Sequence, residues 1–126
     1  MSRSPKIWVL VDNRIGNANQ AIELAEKIGQ SYEIKKIGYN SLGFLPSIIL
    51  GLFPLHVKSS ILSELLKEEM PDVVISSGRR TAAVALYLKR CSARPIKLIQ
   101  IMRPVIGEEK FDLIILPQHD NFNNTV

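Results

Sequence analysis

The sequence predicts an α/β domain of three layers, Rossmann-like, with a mostly parallel sheet of about five strands. Three observations lead there. Short apolar runs alternate with segments of helical spacing, and strands that alternate with helices pair in parallel through right-handed crossovers. Ile7-Trp8-Val9-Leu10-Val11 and Pro71-Asp72-Val73-Val74-Ile75 are nearly unbroken apolar runs, as expected of strands buried on both faces. Polar clusters follow the strands, where ligands bind in such sheets.

The bulk properties agree with one domain, residues 1–126. With 126 residues, 46% of them hydrophobic, the chain is long enough for one core and too short for two. The formal charge is +4, but 16 basic residues are mixed with 12 acidic ones. That balance suits a local positive site better than a surface that coats nucleic acid. Basic residues are not interleaved with aromatic ones, and no zinc spacing or helix-turn-helix is visible, so neither a nucleic-acid partner nor a metal is expected.

Cys91 stands alone, which excludes a disulfide framework and gives it a packing role. No segment approaches the ~20 apolar residues of a spanning helix, and the basic opening Met1-Ser2-Arg3-Ser4-Pro5-Lys6 leads into no signal-peptide core. The reading is cytoplasmic.

Taken in order, residues 7–11 form the first strand and the chain turns polar at Asp12-Asn13-Arg14-Ile15-Gly16-Asn17. A helix follows from about Ala18, capped by Asn17, with Ala21, Leu24, Ala25 and Ile28 on one face and Gly29 placed to stop it. Ser31 to Ile37 alternates more weakly and suits an edge strand.

From Gly38 to Leu55 the chain is apolar and rich in Gly and Pro. It has room for a short helix over Pro46 to Leu52. The segment is either a connection packed over the sheet or a peripheral contact for a membrane or partner. His56 to Glu69 is a clearer helix, with Val57, Ile61, Leu62, Leu65 and Leu66 at helical spacing. Residues 71–75 give the central strand, Ala82 to about Ser92 an Ala-rich helix, Ile96 to Ile101 a fourth strand and Phe111 to Leu116 a fifth.

The chemistry concentrates between the central strand and the Ala-rich helix, at Ser76-Ser77-Gly78-Arg79-Arg80-Thr81. Two arginines open that helix, where the macrodipole is already positive. Exposed cations there cost roughly 0.3–1 kcal/mol each, and a bound anion reverses the sign. One reading is an anion pocket of backbone amides, the Ser77 and Thr81 hydroxyls and guanidinium groups, suited to phosphate or carboxylate. The other turns both arginines into solvent or onto a carboxylate.

Asp12 to Asn17, Ser76 to Thr81, Arg103-Pro104 and Pro117 to Asp120 all follow strands and would open on one rim. Gly16 and Asn17, Gly78 and Arg103 therefore join the candidate ligand-binding set. His119-Asp120 is a candidate acid/base or orienting pair because His titrates near neutrality. Asp12 is either a general base or a turn residue. The glycines match neither a dinucleotide fingerprint nor a Walker loop, so no cofactor is expected.

These residues resemble the mitochondrial fission Elm-type family, found in plants and many bacteria. The resemblance is carried by Trp8, by Gly16-Asn17 with Gln20 and by Pro71 through Arg80. It continues in Gln100-Ile101 with Pro104 and in Phe111-Asp112-Leu113-Ile114-Ile115-Leu116-Pro117-Gln118-His119-Asp120.

Family members resemble glycosyltransferases of the GT-B type, in which two Rossmann-like domains face each other across a cleft. The resemblance therefore implies the amino-terminal, acceptor-side half of such a fold. Its ligand would be a phosphorylated or nucleotide-sugar small molecule, and the half would not catalyse alone. A second-domain chain or a second copy is the implied partner.

Overall fold

The structure is a computed structural model that describes residues 5–12, 15–38, 59–102 and 108–116. The short helix read over residues 46–52, Arg103, His119 and Asp120 lie outside the described residues. The elements are β1 (Ile7–Val11), α1 (Ile15–Ile28), β2 (Tyr32–Lys36), α2 (Ser59–Lys67), β3 (Val73–Ser77), α3 (Arg79–Cys91), β4 (Lys97–Ile101), a 3-10 turn at Glu108–Lys110 and β5 (Leu113–Ile115). The strands form one sheet in the order β2-β1-β3-β4-β5, with every neighbouring pair parallel. This is the expected Rossmann-like α/β arrangement.

The crossovers set the layers. Passing from β1 out to β2 puts α1 on one face, and returning across β1 to β3 and on to β4 puts α2 and α3 on the other. The two cores follow this division. On one face Ile7, Val9, Val11, Ile75 and Ile101 pack against Ala21 and Ala25 of α1. On the other, Trp8, Leu10, Val74 and Leu98 pack against Leu65 of α2 and Ala82, Val84, Ala85, Leu86 and Leu88 of α3. Alternate residues of β1 thus serve opposite layers, which explains why its sequence is apolar without a break.

The amino-terminal ends of the strands are clamped by two aspartates. The Lys6 amide donates to Asp72 Oδ2 at 2.8 Å, and the Leu98 amide donates to Asp112 Oδ2 at 2.8 Å. The Asp72 and Asp112 amides return bonds to the Lys6 and Leu98 carbonyls at 2.8 and 2.9 Å. Each carboxylate therefore continues the parallel ladder past the point where the backbone alone would stop.

The structure corrects three local expectations. Helix α1 starts at Ile15, so Asn17 lies inside the helix rather than capping it. Cys91 is exposed, because the buried stripe of α3 ends at Leu88 and Cys91 closes the last turn; it has no packing role. Ile28 and Leu66, read as core-facing, are 39% and 40% exposed, since the packed stripes run through Ala21 and Ala25 and through Leu65. Gly29 ends α1 as expected, at φ +82° with its amide on the Glu26 carbonyl at 3.1 Å. Strand β2 is an edge strand, also as expected.

Candidate functional site

β1 and β3 are neighbours in the sheet, yet the helices that follow them lie on opposite faces. Their carboxyl ends therefore flank the point where strand order reverses, the crevice in which doubly wound sheets take ligands. Both α1 and α3 begin at this rim. The amides of a first helical turn have no intrahelical acceptor, so two positive helix ends converge on one opening.

The turn from β3 into α3 is built on Gly78, at φ 93° and ψ 170°, a region essentially restricted to glycine. The Gly78 amide continues the ladder to the Ile101 carbonyl at 3.3 Å, and its carbonyl accepts the Ala82 amide at 3.2 Å. That carbonyl also accepts from Gln100 Nε2 at 3.0 Å. Thr81 Oγ1 accepts the Ser77 amide at 3.2 Å and donates to the Ser77 carbonyl at 2.7 Å. The polar groups of Gly78 and Thr81 thus hold the turn in shape.

Beneath the turn lies a polar pair, Ser76 of the candidate turn and Gln100, whose bond the sequence does not reveal. Gln100 is fully buried; its Oε1 accepts from Ser76 Oγ at 2.5 Å, and Nε2 reaches the Ile101 carbonyl at 3.1 Å besides that of Gly78. A signal was present, since a glutamine inside Ile99-Gln100-Ile101 sits where an apolar side chain belongs, with Ser76 beside it in register.

Arg79 and Arg80 are half-buried and each interacts with other groups of the chain. Asp12, also half-buried and engaged, follows β1 at the same rim. Gly16 and Asn17 belong to the first turn of α1, which follows β1 at the end of the sheet where Ser77 and Gly78 close the neighbouring β3. The structure thus brings Asp12, Gly16, Asn17 and Ser77 through Thr81 to one edge of the sheet. No group of three or more His, Cys, Asp or Glu arranged for a metal occurs among the described residues.

Two further features mark this rim. Met102, just past β4, has φ 73°, a left-handed backbone that is uncommon outside glycine. Its amide donates to the Ile115 carbonyl at 2.7 Å. Between α1 and the ends of β4 and β5 lies a cavity of about 180 Å³ lined by Gln20, Glu23, Leu24, Lys27, Ile101 and Ile115.

A parallel sheet with helices on both faces, opening at a strand-order reversal between two helix starts, defines an α/β protein of the Rossmann-like class. The sequence profile described as Mitochondrial fission ELM1 matches residues 15–126, and the chain belongs to that family. It is 44% identical over 114 residues to an uncharacterized protein of Rickettsia prowazekii (strain Madrid E), a match covering 90% of this chain and 32% of that protein. It is 30% identical over 60 residues to the Mitochondrial fission protein ELM1 of Arabidopsis thaliana, covering 48% of this chain and 14% of that one. The chain thus spans about a third or less of the length of these relatives. No solved structure matches it.

Proposed function

We propose that the chain is a GT-B-like amino-terminal half that binds a phosphate-bearing ligand, of the nucleotide-sugar or sugar-phosphate kind, in the crevice between β1 and β3. Catalysis would need the part of the longer relatives that lies beyond it. The observation that carries the reading is the pair of helix starts, α1 and α3, at the carboxyl ends of adjacent strands. Arg79 and Arg80 stand at the second of these starts, where a bound anion would complement both the macrodipole and their charge. Their half-buried position gives such an anion charge-assisted hydrogen bonds in a partly desolvated setting.

Titration of the labelled protein with sugar phosphates and nucleotide sugars should shift the amide signals of Gly16, Asn17, Gly78, Arg79 and Arg80. The double variant Arg79→Ala/Arg80→Ala should abolish the shifts. Signals that no anionic ligand moves would refute the reading.

A further inference from the structure

A sheet in a three-layer α/β domain needs helical cover on both faces, and here one layer stops short. Val9, Ile75, Ile99 and Leu113 stand in register across β1, β3, β4 and β5, on the α1 side of the sheet. Exposure climbs along that row. Val9 and Ile75 are fully buried, Ile99 is half-buried and Leu113 is 50% exposed. The matching row on the other face, Trp8, Val74 and Leu98, stays fully buried out to β4. The difference comes from α1, which packs mainly on β1 and β3. Among the described residues no second helix lies on its face, so Ile99, Leu113 and Ile115 form an apolar strip beyond it.

That strip has the dimensions of one helix. Strands lie about 4.8 Å apart, so the line over β4 and β5 runs about 10 Å from the line of α1 over β1 and β3, the distance at which helices pack side by side. β4 is five residues long, about 16 Å, which is about three turns of helix. The cavity between α1 and the ends of β4 and β5 would be the seam between two such helices. Leu24, Ile101 and Ile115 give it an apolar lining, and the exposed Glu23 and Lys27 a polar one. A helix with an aliphatic side and a polar flank fits both.

A second copy of the chain is a poor source of that helix. The exposed side of α1 carries Asn19, Glu23, Glu26 and Lys27, and that of α2 carries Ser63, Glu64 and Lys67. Either would bury charge against Ile99 and Leu113, and the apolar side of α3 is already in the opposite core. The match to the Rickettsia prowazekii protein covers only 32% of that protein, so about two thirds of the longer polypeptide is left to supply the cover.

We propose that the α1-side face of β4 and β5 seats an amphipathic helix from the remainder of the longer polypeptide, packed beside α1 with its aliphatic side on Ile99, Leu113 and Ile115.

Thiol labelling with a maleimide tests this in two proteins, the 126-residue chain and the full-length Rickettsia relative, each first freed of its own cysteines. Cys91→Ser does so here, because Cys91 is exposed. A match of 114 residues in a chain of 126 includes Ile34, Ile99 and Leu113 wherever it begins, so each has an aligned position in the relative. In the 126-residue chain, Leu113→Cys should label as fast as Ile34→Cys, which is 43% exposed on the opposite edge strand. In the full-length relative, cysteine at the positions aligned with Leu113 and Ile99 should label at least about tenfold more slowly than in this chain, while the position aligned with Ile34 should not change. Leu113 is half exposed, so its replacement should leave the core intact, which thermal melts check.

Equal labelling of the Leu113 position in the two proteins would overturn the proposal. Slowing at Leu113 without slowing at Ile99 would mean an added strand on the β5 edge, and would overturn it too. Labelling of Leu113→Cys in the 126-residue chain that slows with rising protein concentration would show a second copy as the occupant. Slow labelling there at every dilution would show that the chain covers the strip itself, and either result would refute the assignment.

Discussion

The turn that presents Arg79 and Arg80 depends on a buried glutamine, and Gln100→Leu tests that dependence. Leucine fills most of the same space but forms none of the three hydrogen bonds that Gln100 makes to Ser76, Gly78 and Ile101. Each is worth about 1 kcal/mol net, and a buried group left without a partner costs about 1–3 kcal/mol. The carbonyls of Gly78 and Ile101 keep other donors, the amides of Ala82 and Gly78, so only the Ser76 hydroxyl is stranded. The expected loss is about 2–4 kcal/mol. At about 3–5 °C per kcal/mol for a chain of this size, that is a fall of roughly 6–20 °C in Tm.

Ser76→Ala introduced alongside removes the stranded hydroxyl and should restore about half of the loss, because deleting both partners of a buried bond is far cheaper than deleting one. Urea unfolding of wild type, both single variants and the double variant gives the coupling directly. Amide signals of Arg79 and Arg80 should also shift in Gln100→Leu, since the Gly78 carbonyl loses a restraint. A loss below about 1 kcal/mol in Gln100→Leu, or a double variant as costly as the two singles added, would refute the reasoning.

Other positions give sharper contrasts. Gly78→Ala, forced into a glycine-only region, should cost about 2–3 kcal/mol, whereas Gly29→Ala, with nothing within 4 Å of the added Cβ, should cost only the left-handed penalty of about 1 kcal/mol; chemical denaturation of both measures the difference. Thr81→Val should lose about 1–3 kcal/mol because its buried hydroxyl serves both backbone groups of Ser77, and an unchanged midpoint would contradict that role. Partial burial pulls the Lys35 ammonium down, but Glu68 at 2.8 Å and Glu33 at 3.5 Å outweigh it and raise its pKa above 10.5. A raised folded pKa means that the stabilisation is complete below about pH 10.5 and is lost as pH rises through the folded value. Stability should therefore fall above that pH by up to about 1 kcal/mol, and Lys35→Met should lack this part of the fall in unfolding curves taken across the range.

Much of this fold is legible in the residues because each strand carries its layer assignment. The unbroken run of β1 marks a strand with a core on both sides, and the weak alternation around Tyr32 to Lys36 marks an edge. Boundaries are less legible where several residues compete for one role. Asp12, Asn13, Asn17 and Asn19 are all of types that favour a helix start, so composition alone does not choose Ile15 as the beginning of α1. The exposure of Cys91, Ile28 and Leu66 was hidden for a related reason. Periodicity names a face, but how wide a stripe of that face meets the sheet depends on neighbours far away in sequence.

The candidate rim was visible as polar residues following strands, whereas its supports were not. Gln100 and Gln20 enter a linear reading through the family resemblance alone, with no role attached. Their position beside Ser76, Gly78 and Ile101 exists only once parallel register is set.

The two ends of the sheet are built differently, and the difference bears on the site. At the amino-terminal ends, Asp72 and Asp112 close the ladders with ordinary hydrogen bonds. At the carboxyl ends, β3 leaves through a glycine-only conformation and β4 through Met102 at φ 73°, the non-glycine residue with positive φ among those described. Backbone in such regions costs of order 1–3 kcal/mol per non-glycine residue and persists only where its surroundings over-determine it. Here Gln100, Thr81 and the Ile115 carbonyl supply that determination. The turn is therefore held by the chain's own groups, so a ligand bound there would have little ordering free energy to offset. Strain held at one end and clamps at the other is the distribution expected if the carboxyl-end rim is the working surface and the opposite end serves stability.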